Sequence, residues 1–174
     1  MTPRQKPEAV QVVKLRRDAA LAWLVGSVPY IAFLGIRFDR RGDELTAHLP
    51  YDDRLIGNPL LPALHGGATA AFLEVAAIIE LSWASLWGAM EAGRIDITAL
   101  SPGQLPTLPK TGDFTVDFLR SGLPRDAYAR ARVTRSGRRF ASVQVEAWQD
   151  NREKPFAMAS VHLLMPEAEF MPPE

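Results

Sequence analysis

Residues 65–87 read HGGATAAFLEVAAIIELSWASLW, and the fold turns on what this stretch is. From Gly67 to Trp87 runs the longest succession of strong helix formers in the chain, apolar on nearly every side. A helix that is apolar all round is a buried one. Upstream, residues 31–38 and 44–49 read as two strands joined at Arg41-Gly42-Asp43. Downstream, residues 114–119, 127–134, 140–148 and 156–164 read as four more, separated by Gly122-Leu123-Pro124, Ser136-Gly137 and Asp150-Asn151. Strands on both sides of one buried helix in sequence are best satisfied when the sheet wraps that helix. The predicted class is therefore α+β with a mainly antiparallel sheet.

The remainder arranges itself around this centre. Val12, Val13, Leu15, Ala19, Ala20, Trp23 and Leu24 recur at helical spacing and predict an extra N-terminal helix over about 8–25, ended by Gly26 and Pro29. Residues 50–64 and 98–112 are punctuated by Pro and Gly and read as loops. The chain reads as a single domain over 1–174, with its core at about 31–165 and a loose tail over 166–174.

Composition removes several function classes. The 174 residues carry 20 basic and 20 acidic side chains, so no general attraction to nucleic acid or an anionic membrane is expected. There is no cysteine, which excludes a disulfide scaffold, a thiolate nucleophile and any Cys-ligated metal. The basic start has no apolar segment behind it, and residues 60–90 are interrupted by Pro62, Gly66, Gly67, Glu74 and Glu80. A soluble, cytoplasmic protein is expected. His48 and His162 lie on strands without acidic or His partners at ligand spacing, so they read as structural, and no metal or cofactor is expected.

Two features carry chemistry. His65-Gly66-Gly67 opens the buried helix, where unpaired amide N–H groups and the positive end of the helix dipole suit a developing oxyanion. Paired glycines before a helix also make plain tight turns, and that reading stays open. Two turns further in, Glu74 interrupts an apolar surface, where a carboxylate is expected to be poorly hydrated and more basic. Gly67 and Glu74 share one stripe but lie roughly 10 Å apart along the axis, too far to act on one carbon within a single chain. If both act on one bond, they come from two protomers. The second feature is seven arginines against one acid between residues 120 and 139. Arg130 and Arg132 share a strand face, and Arg138 and Arg139 follow a turn where a phosphate can reach them. A solvated strand face with arginines paired to acids elsewhere is the alternative.

The stretch from His65-Gly66-Gly67 to Glu74 resembles the central helix of the hotdog-fold thioesterases, specifically the phenylacetate-pathway (PaaI-like) acyl-CoA thioesterase group. Residues 114–122, then 129–133, Gly137-Arg138-Arg139 and 143–148, resemble the strands that follow in that group, and the likeness spans roughly residues 33–165. It implies a long helix wrapped by a curved antiparallel sheet, in a homodimer that often pairs into a dimer of dimers. Carried over by position, the Gly67 N–H polarises the thioester carbonyl beside Gly66, and Glu74 of the facing protomer is general base or nucleophile. His65 holds the loop, and Thr115 orients water or carboxylate. The group often has Asn or Gln six residues before the His; here that position is Pro59, with Asn58 beside it. The connection over 88–112 also looks longer than usual in the group, and is expected to cover or reshape the acyl pocket.

The expected activity is hydrolysis of an apolar or aromatic acyl-CoA, with the arginines on the CoA phosphates. A hotdog hydratase or dehydratase is the alternative within enzymes, although no His stands at the spacing it needs. A non-catalytic acyl-CoA-binding protein is the alternative outside them.

Overall fold

The computed structural model describes residues 9–97 and 107–166. The N-terminal helix, α1 (Val10–Gly26), buries Ala20, Leu21 and Leu24. Pro29 does more than end it. At the first helical position its fixed φ starts a second, short helix, α2 (Pro29–Leu34), which Gly35 closes at φ +70°. The expected strand over 31–38 is corrected accordingly: residues 31–34 are helical, and strand β1 spans Arg37–Arg41. A four-residue apolar run fits either period, and the Pro and Gly flanking it decide.

Gly42, at φ +64°, turns β1 into β2 (Glu44–Leu49). The segment read as a loop over 50–64 holds a single 3₁₀ turn (Asp53–Leu55) and a small ribbon of β3 (Ile56–Asn58) with β4 (Ala63–Leu64). The long helix, α3, runs Gly66–Glu91. Strands β5 (Lys110–Phe118), β6 (Ala127–Ser136), β7 (Phe140–Trp148) and β8 (Ala157–Leu164) follow. β5 starts inside the expected loop over 98–112. Residues 98–106 of that loop, and 167–174 of the expected tail, lie outside the described residues.

The six main strands pair antiparallel throughout in the order β1-β2-β6-β7-β8-β5. Their inner face is built from small residues, with Ala129 opposite Ala147, Val143 opposite Val161 and Val145 opposite Ala159. α3 packs across it, burying Phe72, Leu73, Ala76, Ala77 and Ile79. By length and composition α3 is apolar enough to cross a membrane, but that apolarity is spent inside the fold: it is the core helix. α1 is moored to it by Arg17, whose guanidinium lies 4.0 Å from the Trp87 ring centre and pairs with Asp43 and Glu91. This is the helix-and-sheet arrangement that the resemblance implies. β5 stands at one edge of the sheet, nine residues long, with its outer side unpaired among the described residues.

Candidate functional site

The corner that opens α3 is held by its histidine. His65 N–H donates to Leu55 O at 2.7 Å, and its carbonyl accepts from Thr69 N–H at 3.0 Å. Its ring Nδ1 accepts the Gly67 N–H at 2.9 Å, which makes His65 the helix N-cap. A backbone amide can only donate, so Nδ1 is unprotonated and the proton of the neutral ring sits on Nε2. Two glycines make room for the ring: a Cβ on Gly57 would stand 2.8 Å from His65 Cδ2, and one on Gly67 would stand 3.0 Å from Nδ1. Gly57 was not singled out in the sequence, because the approach comes from a separate strand.

The cap redistributes the open donors. Gly67 N–H is engaged by His65, whereas the Gly66 and Ala68 amides have no acceptor among the described residues. Phe118 lies on this corner, its Cζ 3.4 Å from where a Gly66 Cβ would be. Asn58 is exposed and turns Oδ1 onto Leu60 N–H at 3.0 Å, closing a local turn in the loop.

Glu74 is half-buried on α3, and its Oε1 accepts the Thr111 hydroxyl at 2.6 Å. Thr111 is a candidate site residue that sequence reasoning missed. Counting back by twos from inward-facing Phe114 puts Thr111 on the outer face. A bulge between Thr111 and Asp113 reverses this, setting Thr111 opposite buried Leu163 while Asp113 stands opposite exposed His162. Thr115, by contrast, is exposed and opposite Ser160, on the face away from α3. The second acid of α3, Glu80, is pushed by burial up to about 7.

The arginines divide by partner. Arg130 donates Nε to Thr46 Oγ1 at 2.9 Å and pairs with Glu44 at 2.9 Å. Arg132 reaches Gln144 Oε1 at 3.2 Å. Arg138 and Arg139 have no acid partner among the described residues, and with Arg135, Phe140, Ser142 and His162 they line a depression of about 900 Å³ beside Gly112. His48 is tied to Asp126 at 2.8 Å and stacked on Tyr128. Among the described residues no group of His, Asp or Glu is arranged to hold a metal ion.

Comparison with known proteins gives one family and many structures of this shape. Residues 58–164 match the family described as acyl-CoA thioesterase N-terminal domain. A crystal structure from Chromobacterium violaceum is 33% identical, covering 92% of this chain and 100% of its own, with a TM-score of 0.59. A putative thioesterase from Ralstonia eutropha, a phenylacetic acid degradation-related protein, is 20% identical over 86% of this chain and 99% of its own, with a TM-score of 0.62. A Bacillus halodurans protein crystallised with CoA is 18% identical over 94% and 98%, with a TM-score of 0.56. The last two likenesses speak for the fold. No curated protein matches the chain in sequence.

Proposed function

The chain belongs to the acyl-CoA thioesterase family, a thioester hydrolase of the PaaI-like hotdog kind, and from that premise we propose that it hydrolyses an apolar or aromatic acyl-CoA at a site shared between two protomers. The observation that carries this reading is Glu74, held by Thr111 beneath an open edge strand. Within one chain, Glu74 and Gly66 are eight residues apart on α3, about 12 Å along its axis. β5 has Thr111 near one end and Phe118, whose ring stands over Gly66, at the other. Pairing β5 with its own copy, antiparallel about a two-fold axis, sets the Thr111 end of each strand beside the Phe118 end of its mate. The acid of one protomer then faces the glycine corner of the other. An unpaired nine-residue edge favours such pairing.

In this site the thioester oxygen points at the corner amides. Gly66 N–H, without an acceptor among the described residues, is placed to donate, and Gly67 N–H follows if His65 Nδ1 yields it. Glu74 takes a proton from water as the water oxygen attacks the carbonyl carbon; the C–S bond breaks, and the thiolate takes up a proton to leave as CoA. Direct attack by the Glu74 carboxylate, with hydrolysis of the resulting anhydride, gives the same products. Thr111 fixes the carboxylate in either route. Arg138 and Arg139 hold the phosphates of CoA in their depression, with Arg132 above them on the same sheet face. Thr115 and Asn58 stand lower in this reading, since one faces away from α3 and the other is committed to its own turn. A dimer of dimers, a single-domain enzyme and a cytoplasmic location complete it.

Turnover of an acyl-CoA panel, followed with a thiol reagent, tests this reading, and a protein without cysteine adds no background. Glu74→Gln should lower turnover about 10²–10⁴-fold. Full activity in that variant on the best substrate would refute the assignment.

A further inference from the structure

Next to the corner that opens α3 lies a second concavity, which neither the sequence nor the family likeness assigns. It has about 310 Å³ of space and is lined by Leu64, Thr69, Phe118, Arg120, Gly122 and Phe156 among others. That is at the small end of ligand sites, the scale of an acyl group and well short of a nucleotide. The 900 Å³ depression at Arg138 and Arg139 has the scale for the nucleotide half.

Its walls are rigidly tied to the catalytic corner. Leu64 N–H donates to Gly122 O at 2.8 Å, one residue before His65. Leu119 and Arg120 both donate their backbone N–H to Phe156 O, at 2.9 and 3.2 Å. Gly122 has to be glycine, because a Cβ there would stand 2.9 Å from the Phe156 ring. Two aromatic rings therefore form the body of the cleft, with Phe118 still 56% exposed.

Two polar groups in it have no partner among the described residues. Thr69 is only 3% exposed, yet its hydroxyl makes no hydrogen bond among the described residues although it lines the cleft. The oxygen is not enclosed, so it opens onto the cleft, where a ligand atom can bond to it. Arg120 carries a guanidinium with no carboxylate in reach among the described residues, unlike Arg17, Arg40, Arg54, Arg125, Arg130 and Arg152. An aromatic-walled cleft with a hydroxyl inside and a fork-shaped cation at its rim suits a carbon chain or ring that ends in an anionic group.

We infer that this cleft receives the acyl half of the thioester and that Arg120 selects acyl groups bearing a distal carboxylate. The inference rests on the thioesterase reading and narrows its substrate to an acyl group apolar along its body and anionic at its far end. Phosphates of CoA share the anion chemistry, but they lie a whole pantetheine arm away from the carbonyl, whereas the ring of Phe118, two residues before Arg120, stands over Gly66, 3.4 Å from where a Cβ would be.

The test compares adipyl-CoA with hexanoyl-CoA, which differ by the terminal carboxylate, on the wild-type protein, Arg120→Gln and Arg120→Lys. The side chain is exposed, so both variants should fold. Arg120→Gln should lower kcat/KM for adipyl-CoA about 10–100-fold and leave hexanoyl-CoA within about 2-fold, with Arg120→Lys in between. Equal losses on the two esters would place the guanidinium on the CoA portion and overturn the proposal, as would no loss on either. Hexanoyl-CoA turnover that persists through such a failure leaves the thioesterase reading standing. No turnover of either ester by the wild type removes both.

Discussion

Thr111 donates its hydroxyl to Glu74 Oε1 at 2.6 Å, joining the edge strand β5 to the third turn of α3. This bond fixes the one acid on α3 that reaches the open edge of the sheet, and it holds one carboxylate oxygen while leaving the other free to act.

Replacing Thr111 by Val keeps shape and volume but removes the donor. Activity should fall about 10–100-fold, the scale of a hydrogen bond to a charged group. Thr115→Val, on the outer face, should change it less than about 2-fold. Steady-state turnover of both variants on the same acyl-CoA checks this, and equal losses would remove the distinction between the two threonines.

Gly66→Pro tests the free amide at the corner. Pro is favoured at the first position of a helix. The preceding His65 already has ψ 132°, the extended conformation a following Pro demands. The substitution should therefore preserve the fold and delete one N–H, lowering turnover about 10²–10³-fold with little change in melting temperature. Unchanged turnover in a well-folded variant would show that the Gly66 amide does not meet the carbonyl.

α3 was legible in the sequence because apolarity on all sides has one cheap solution, burial, and the strands around it followed from turn chemistry. Ile31–Leu34 was misread because four apolar residues have no period of their own, and Pro29 can open a helix as readily as close one. Glu74 and the glycine corner were legible as a pair on one stripe. Thr111 was hidden twice, by the prolines around it, which read as loop, and by a bulge that inverts its face. The hydrogen bond from Gly67 to His65 was not visible at all, since the ring position depends on the closeness of Gly57 in a different strand.

The arginines should sort by partner. Arg138→Ala with Arg139→Ala should raise KM for acyl-CoA about 10-fold or more, with an effect that shrinks at high salt, because these cations are exposed and have no acid partner among the described residues. Arg130→Ala should leave KM within about 2-fold, because its guanidinium is occupied by Glu44 and Thr46. Kinetics at low and high ionic strength separate the two classes; a KM effect at Arg130 matching that at Arg138 and Arg139 would contradict the division.

Glu80 gives a pH signature of its own. Burial raises its carboxyl from 4.5 in the unfolded chain to about 7 in the fold. Between those values the folded protein holds a proton that the unfolded chain has lost, so stability falls as pH rises through the window. Glu80→Gln mimics the protonated form, so its melting temperature should exceed that of the wild type at pH above about 7. Its profile through the window should also be flatter. Parallel melting curves for the two proteins across that range would contradict the burial of this acid.

The most direct measurement mixes two inactive proteins. Glu74→Gln lacks the acid, and Gly66→Pro lacks the corner amide. After subunit exchange, a heterodimer of the two has one site with both halves intact and one with both halves lost. The shared-site account predicts that activity returns on mixing, toward about a quarter of the wild-type value at random 1:2:1 pairing. Mixtures that exchange subunits yet remain as inactive as their parents would place both groups in the same chain's site and contradict it.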